Sequence, residues 1–332
     1  MLNNILIFRT DRIGDLLLSC PAIISIKNHF SNSKITLVTS EKNYNYAKNL
    51  NIFDQVYKYP KFNIINKILL IKKLNSYNFK YIFIFDGKDR SLISSIFIKA
   101  PYKVAVISEK KASNFWKIFK IKIINNTELG IIELMNDSLV ESKININISN
   151  FNFLKYKKDN NFSSNIKIKK YLHIHLDEKW LKNLYIKKYT EINPTYLDFT
   201  EFLRLTSKKF NILITTGLVD FELINNLKNK YFEKINEKIY FKKNNKNFLY
   251  FIYKPSFEDI ESLLRNTDIL ISCHGAVTHA ANSFNVKIID IIEKNKSKWY
   301  SRYTSYLHNY KSIFREDFSN MNHKLLKIVN YE

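Results

Sequence analysis

The amino-acid sequence predicts an α/β protein built from two successive doubly wound, parallel sheets. Three observations carry that expectation. Short β-branched or aromatic runs alternate with longer amphipathic stretches, the rhythm of βα units. A polar stretch, Lys155 to Ser164, interrupts the alternation, which then restarts. And 332 residues suit two domains of ~150 residues better than one or three. The expected boundaries are 1–160 for a first Rossmann-like domain and 165–305 for a second, with 306–332 a helical segment packing back on the first.

In the first half, the apolar run Asn4 to Phe8 predicts a strand, and the 3.6-residue spacing of Asp15 to Phe30 predicts a helix. Lys34 to Thr39 predicts a second strand, Glu41 to Leu50 a helix, Gln55 to Tyr57 a short strand and Asn63 to Ser76 a helix. Tyr81 to Phe85 reads as a strand, Ser91 to Ile98 as a helix, Lys103 to Val106 as a strand and Glu128 to Val140 as a helix. In the second half, Tyr171 to His175, Phe210 to Thr215, Leu249 to Tyr253, Ile269 to Ser272 and Lys287 to Ile291 predict strands. Between them Leu197 to Ser207, Asp220 to Tyr231, Ser256 to Arg265 and Ala276 to Phe284 predict helices, the third opened by Ser256 with Asp259 three residues on.

Composition narrows the function classes. With 45% hydrophobic and 25% charged residues the chain is globular, and 5 Gly, 5 Pro and 2 Cys exclude collagen-like, mucin-like and disulfide-scaffold readings. The net charge of +23 rests mainly on lysine and draws anionic ligands and surfaces. The basic residues are spread along the chain without a nucleic-acid motif, so nucleic acid is not the expected partner. Cys20 and Cys273, far apart in sequence, read as reduced thiols. The amino end lacks a signal-peptide pattern, and no stretch reaches the ~18 apolar residues of a membrane span. A cytoplasmic enzyme that touches a membrane face is the expectation.

Ligands of open parallel sheets bind beyond the carboxyl ends of the strands. Four of the five glycines, Gly14, Gly87, Gly217 and Gly275, follow predicted strands. Arg9-Thr10-Asp11-Arg12-Ile13-Gly14-Asp15 ends the first strand and opens the first helix, with Asp15 in the turn where a carboxylate is favoured. Asp86-Gly87-Lys88-Asp89-Arg90-Ser91 supplies a second polar cluster on the same edge. In the second half, His274-Gly275-Ala276 opens a small-residue helix bearing His279, a setting suited to phosphate. Lys179-Trp180 and Thr215-Thr216-Gly217 end two other strands.

Residues 5 to 22, Ile-Leu-Ile-Phe-Arg-Thr-Asp-Arg-Ile-Gly-Asp-Leu-Leu-Leu-Ser-Cys-Pro-Ala, resemble the opening of glycosyltransferase family 9, the lipopolysaccharide heptosyltransferases. Ser256 to Ile289 resembles the family's second signature and Phe85 to Val106 an intervening one. The resemblance implies a GT-B fold, two Rossmann-like domains facing across a cleft, the first binding the acceptor and the second the nucleotide sugar. It implies an inverting, metal-independent transfer without cofactor or metal, from a nucleoside-diphosphate sugar, an ADP-linked one among the candidates. Asp15 would be the general base. Lys179, Thr215, Thr216, Gly217, His274, Gly275, Ala276 and His279 would bind donor and phosphate. Arg9, Arg12, Gly14, Asp86, Lys88 and Arg90 would bind a lipid-linked or oligosaccharide acceptor of the cell envelope. The expected protein is a monomer on the cytoplasmic side, peripheral to an anionic inner membrane. Two departures stand out: His274, Gly275 and Ala276 occupy the family's aspartate, hydroxyl and glycine positions, and His175-Leu176-Asp177 replaces a glycine-rich turn.

Two other readings compete. A noncatalytic sugar-nucleotide or polyanion-binding protein would keep the fold without the chemistry. A metal-dependent hydrolase would gather His173, His175, His274 and His279 with Asp177.

Overall fold

The first sheet grows from runs that bury both faces, and such runs are apolar without alternation. In the computed structural model, which describes residues 4–107, 113–181, 189–244 and 246–331, the chain divides into two compact units. One comprises Met1–Lys157 with Ser301–Tyr306, the other Lys158–Tyr300 with Leu307–Glu332.

The first unit holds β1 (Ile5–Arg9), α1 (Ile13–His29), β2 (Ile35–Thr39), α2 (Tyr44–Asn49), β3 (Gln55–Lys58), α3 (Ile64–Asn75), β4 (Tyr81–Ile84), α4 (Asp89–Ile96), β5 (Tyr102–Val106), α5 (Ser113–Ile118), β6 (Lys122–Ile124) and α6 (Ile131–Glu141). Its strands run parallel in the order β3-β2-β1-β4-β5-β6. Leu6, Phe8, Ile82, Ile84 and Ala105 lie in the core beneath the helices. Consecutive strands first step one way from β1 and then the other, so β1 and β4 are neighbours whose crossovers diverge. That divergence opens the crevice in which such sheets bind ligands.

The second unit repeats the plan with β7 (Tyr171–Leu176), α7 (Tyr196–Thr206), β8 (Ile212–Thr216), α8 (Glu222–Asn226), β9 (Glu233–Lys234), β10 (Ile239–Asn244), β11 (Asn247–Ile252), α9 (Phe257–Leu264), β12 (Thr267–Cys273), α10 (Ala276–Asn282), β13 (Lys287–Ile292), α11 (Ser297–Thr304), β14 (Tyr310–Phe314) and α12 (Phe318–Tyr331). The order β14-β13-β12-β7-β8-β11 is parallel, and β10 and β9 extend the last edge antiparallel. Here the crevice falls between β7 and β12.

The segment expected as one helix from Tyr306 to Glu332 is different. Tyr310–Phe314 is a strand paired with β13, and α12 belongs to the second unit rather than the first; Glu332 lies outside the described residues. The reason is apolar surface: Phe318, Met321, Leu325 and Val329, spaced for one helical face, complete a core containing Trp180, Phe199 and Phe202. The segment that joins the first unit is instead Ser301–Tyr306, so α11 begins in the second unit and ends in the first. Within it Arg302 donates to the carbonyls of Leu129 at 2.9 Å and Asn126 at 3.3 Å.

Candidate active site

At the carboxyl ends of β1 and β4 a buried cation organises three carboxylates. Arg9 closes β1 and is 4% exposed. Its Nε donates to the Asp15 carbonyl at 2.8 Å, another guanidinium nitrogen donates to the Phe85 carbonyl, and it lies 3.4 Å from Asp11 Oδ1. The Asp15 carboxylate is 3.8 Å away, with a third of its side chain accessible. Asp15 Oδ2 accepts the Arg12 N–H at 3.3 Å, which closes the first turn of α1.

Asp86 ties the two strand ends together. It accepts the Thr10 amide at 2.9 Å, the Thr10 hydroxyl at 2.5 Å, the Ser91 hydroxyl at 2.7 Å and the Lys88 amide at 3.1 Å. Arg90 donates to the Thr10 hydroxyl and carbonyl at 2.8 and 2.6 Å. Of the residues expected on an acceptor, Arg9 and Asp86 are therefore spent inside the protein, whereas Arg12 and Lys88 are exposed at the heads of α1 and α4. Gly87 has φ +54°, and a Cβ there would meet the Val106 carbonyl at 2.8 Å, so only glycine fits this turn.

Asp11 belongs to the expected cluster but carries no expected role. Burial pushes its carboxyl up to about 6, against the pull of Arg9 and with the help of Asp15 and Asp86. Its Oδ1 has no hydrogen-bond partner.

In the second unit, Lys179 and Gly275 stand 96 residues apart in sequence and meet at the β7–β12 crevice. Lys179 Nζ bonds Asp177 Oδ2 at 2.8 Å and lies only 2.8 Å from where a Gly275 Cβ would sit. Burial works against the ammonium, yet Asp177 outweighs it and holds the Lys179 pKa above the ordinary value. Gly275 has extended backbone at the head of α10. Gly217 lets the β8 end press on β7, since its Cβ would fall 2.9 Å from that of Asp177.

His274 Nδ1 bonds Asp290 Oδ2 at 2.7 Å. Asp290, fully buried in β13, also accepts the Tyr310 hydroxyl at 3.1 Å and the Thr278 hydroxyl at 3.2 Å. His279 is buried with its ring edge-on to His274, centroids 5.3 Å apart. Asp290 is a site residue that motif reading missed. Its one sequence signal is a lone carboxylate inside the apolar run Ile-Ile-Asp-Ile-Ile.

Arg315, from the segment expected to be helical, was missed as well. It donates to the carbonyls of Thr190 and Lys179 and reaches Cys273 Sγ at 3.5 Å, fixing the ends of β7 and β12.

The two threonines expected on phosphate face inward. Thr215 is shared by His173 Nε2 at 2.7 Å and His175 Nδ1 at 3.0 Å, and Thr216 accepts the Lys254 amide at 2.8 Å. Burial drives the His173 pKa well down, aided by His175, and lowers His175 to about 4 although Asp177 pulls the other way. Both rings are neutral internal bridges. The four histidines of the hydrolase reading thus serve separate networks, and among the described residues no three His, Cys, Asp or Glu side chains gather as metal ligands.

No family model and no curated protein matches the sequence. Solved structures do. The E. coli heptosyltransferase WaaC, solved with ADP, superposes with TM-score 0.68 at 10% identity over 98% of this chain and 99% of that one. A family 9 glycosyl transferase from Veillonella parvula gives 0.66 at 12% identity over 98% and 89%. The UDP-GlcNAc 2-epimerase of Methanocaldococcus jannaschii gives 0.59 at 13% identity over 99% and 92%. The fold is GT-B. Its two sheets, each in the order 3-2-1-4-5-6 before the second gains its antiparallel edge, follow the expected plan. In this GT-B chain the carboxyl ends of β1 with β4, and of β7 with β12, carry the polar clusters just described.

Proposed function

We propose that the chain is an inverting glycosyltransferase that moves a sugar from a nucleoside diphosphate to a cell-envelope glycan or lipid-linked acceptor. The observation that carries this reading is the anion-ready crevice of the second unit, Lys179 against Gly275 at the head of α10, in a fold shared end to end with a heptosyltransferase solved with ADP. ADP is the nucleotide proposed first.

In the proposed reaction the Asp15 carboxylate takes the proton of an acceptor hydroxyl. The oxygen attacks the anomeric carbon as the bond to the diphosphate breaks on the opposite face, which inverts configuration. Lys179 and the backbone N–H groups that open α10 take up the charge of the leaving diphosphate, so the residues themselves supply the electrostatic term. Arg12 and Lys88, exposed at the heads of α1 and α4, would meet an acidic acceptor.

His274 bears on the donor sugar. Where family 9 carries an aspartate, this chain carries an imidazole whose Nδ1 is tied to Asp290, which leaves Nε2 as its remaining polar atom.

The test is turnover and nucleotide binding measured on the same protein. Purified chain is screened by thermal shift against ADP-, UDP-, GDP- and CMP-linked sugars, with and without chelator, and the stabilising donor is then assayed with envelope glycans. Stabilisation without turnover, unchanged in Asp15→Asn, would favour the noncatalytic reading. No stabilisation by any of the four would remove the donor site.

A further inference from the structure

We propose that the outward face of α3 docks the protein on an anionic lipid bilayer. The inference stands on this surface alone and does not require the transfer chemistry.

α3 is apolar on both sides. Leu70, Ile71 and Leu74 turn inward onto the core of the first unit. Phe62, Ile64, Ile65, Ile68 and Leu69 point away from it and are between 56% and 84% exposed. At 100° per residue, Ile65, Ile68 and Leu69 share one stripe with Lys72. A helix with one face in water ordinarily carries polar residues there, and a contiguous apolar patch marks an interaction surface. The patch continues at the end of α3, where Asn75 Nδ2 donates to the Phe97 carbonyl at 2.8 Å and the Phe97 ring is exposed.

Charge selects the occupant. From Gln55 to Phe85 the chain carries six lysines and no carboxylate. Lys61, Lys72 and Lys73 are exposed around the stripe. Lys73 also lines, with Lys48, Lys58 and a single carboxylate, Asp54, a cavity of about 370 Å³ beside β3. Aliphatic side chains ringed by ammonium groups match hydrocarbon beneath phosphate headgroups: the isoleucines and leucine insert, and the lysines stay at phosphate level. A second copy of the chain offers the wrong complement, since this segment has no carboxylate to answer its lysines and the whole chain carries +23.

Vesicle sedimentation of the full chain tests this, using phosphatidylcholine vesicles with and without phosphatidylglycerol and no nucleotide or acceptor present. Binding is expected to the phosphatidylglycerol vesicles and to weaken with salt. A variant combining Ile65→Asn, Ile68→Asn and Leu69→Asn should bind more than about tenfold more weakly, with an unchanged thermal midpoint because those side chains face solvent. Replacing Lys61, Lys72 and Lys73 by Gln should weaken binding about a hundredfold, at about fivefold per lysine. Absence of binding, or equal binding by the parent and both variants, overturns the proposal. A dimer in light scattering that the asparagine variant dissociates assigns the face to a second copy, and overturns it too.

Discussion

Asp15 combines two properties that pull apart in most carboxylates: it lies beside a buried guanidinium, and it keeps an accessible edge. Asp15→Asn preserves the size and the α1 turn while removing the base. Its turnover is expected to fall by about 10²–10⁴-fold with nucleotide affinity unchanged; full activity in this variant would take Asp15 out of the chemistry. Asp11 sets a pH dependence of stability. Its folded pKa, about 6, lies above the ordinary 3.8, so the folded state holds the extra proton between those values and stability declines as pH rises through that window. Asp11→Asn should flatten the decline, read as thermal midpoint against pH; an equally steep slope would assign the effect to another group. Gly275→Ala tests the crevice. The backbone there is extended, so alanine brings no φ strain, but its methyl would press on the Lys179 ammonium. We expect weaker nucleotide binding at nearly unchanged thermal stability, checked by calorimetry. Asp15 and Gly275 are given their roles by motif and resemblance, whereas that of Asp11 is not, because it depends on the charges that a neighbouring strand end and helix head bring close.

At the scale of elements, α12 carries the clearest prediction. Phe318 is 1% exposed and packs against Trp180, Phe199 and Phe202. Phe318→Ala should cost about 3–5 kcal/mol of stability in denaturant titration. A loss under 1 kcal/mol would mean that α12 is not part of that core. The sequence made β1, β2 and β4 legible because runs such as Ile-Leu-Ile-Phe and Tyr-Ile-Phe-Ile are buried along their whole length. β9, β10 and β14 escaped for the opposite reason. They lie at or near sheet edges, carry lysine, asparagine and glutamate, and owe their conformation to the partner strand rather than to their own composition. β14 was read as helix since Tyr-Lys-Ser-Ile-Phe has no strong local preference. The Ser256–Asp259 capping box was legible because its bonds are local, at 3.1 and 3.0 Å. The junction of Lys179, Gly275 and Arg315 was not, because the pairing β12-β7 joins the first two and the chain leaving β14 brings in the third.

For the whole molecule, the +23 charge predicts that affinity for any anionic ligand falls as salt is added, and that a polyanion competes for both crevices. The Lys179 crevice should lose less than the surface does, since a buried pair is screened less. Comparing nucleotide affinity with vesicle affinity across a salt series checks this, and parallel slopes would place the nucleotide on the surface instead. The late position of Arg315 has a bearing on biosynthesis. Its guanidinium bonds the Lys179 carbonyl, yet the ribosome adds it 136 residues after that lysine. A nascent chain can complete the sheet of the first unit long before, while the Lys179 turn waits unfastened. Order at the Lys179 turn thus waits on Arg315, and a polypeptide stalled short of it would carry Lys179 and Gly275 without the tie that holds their strands in place.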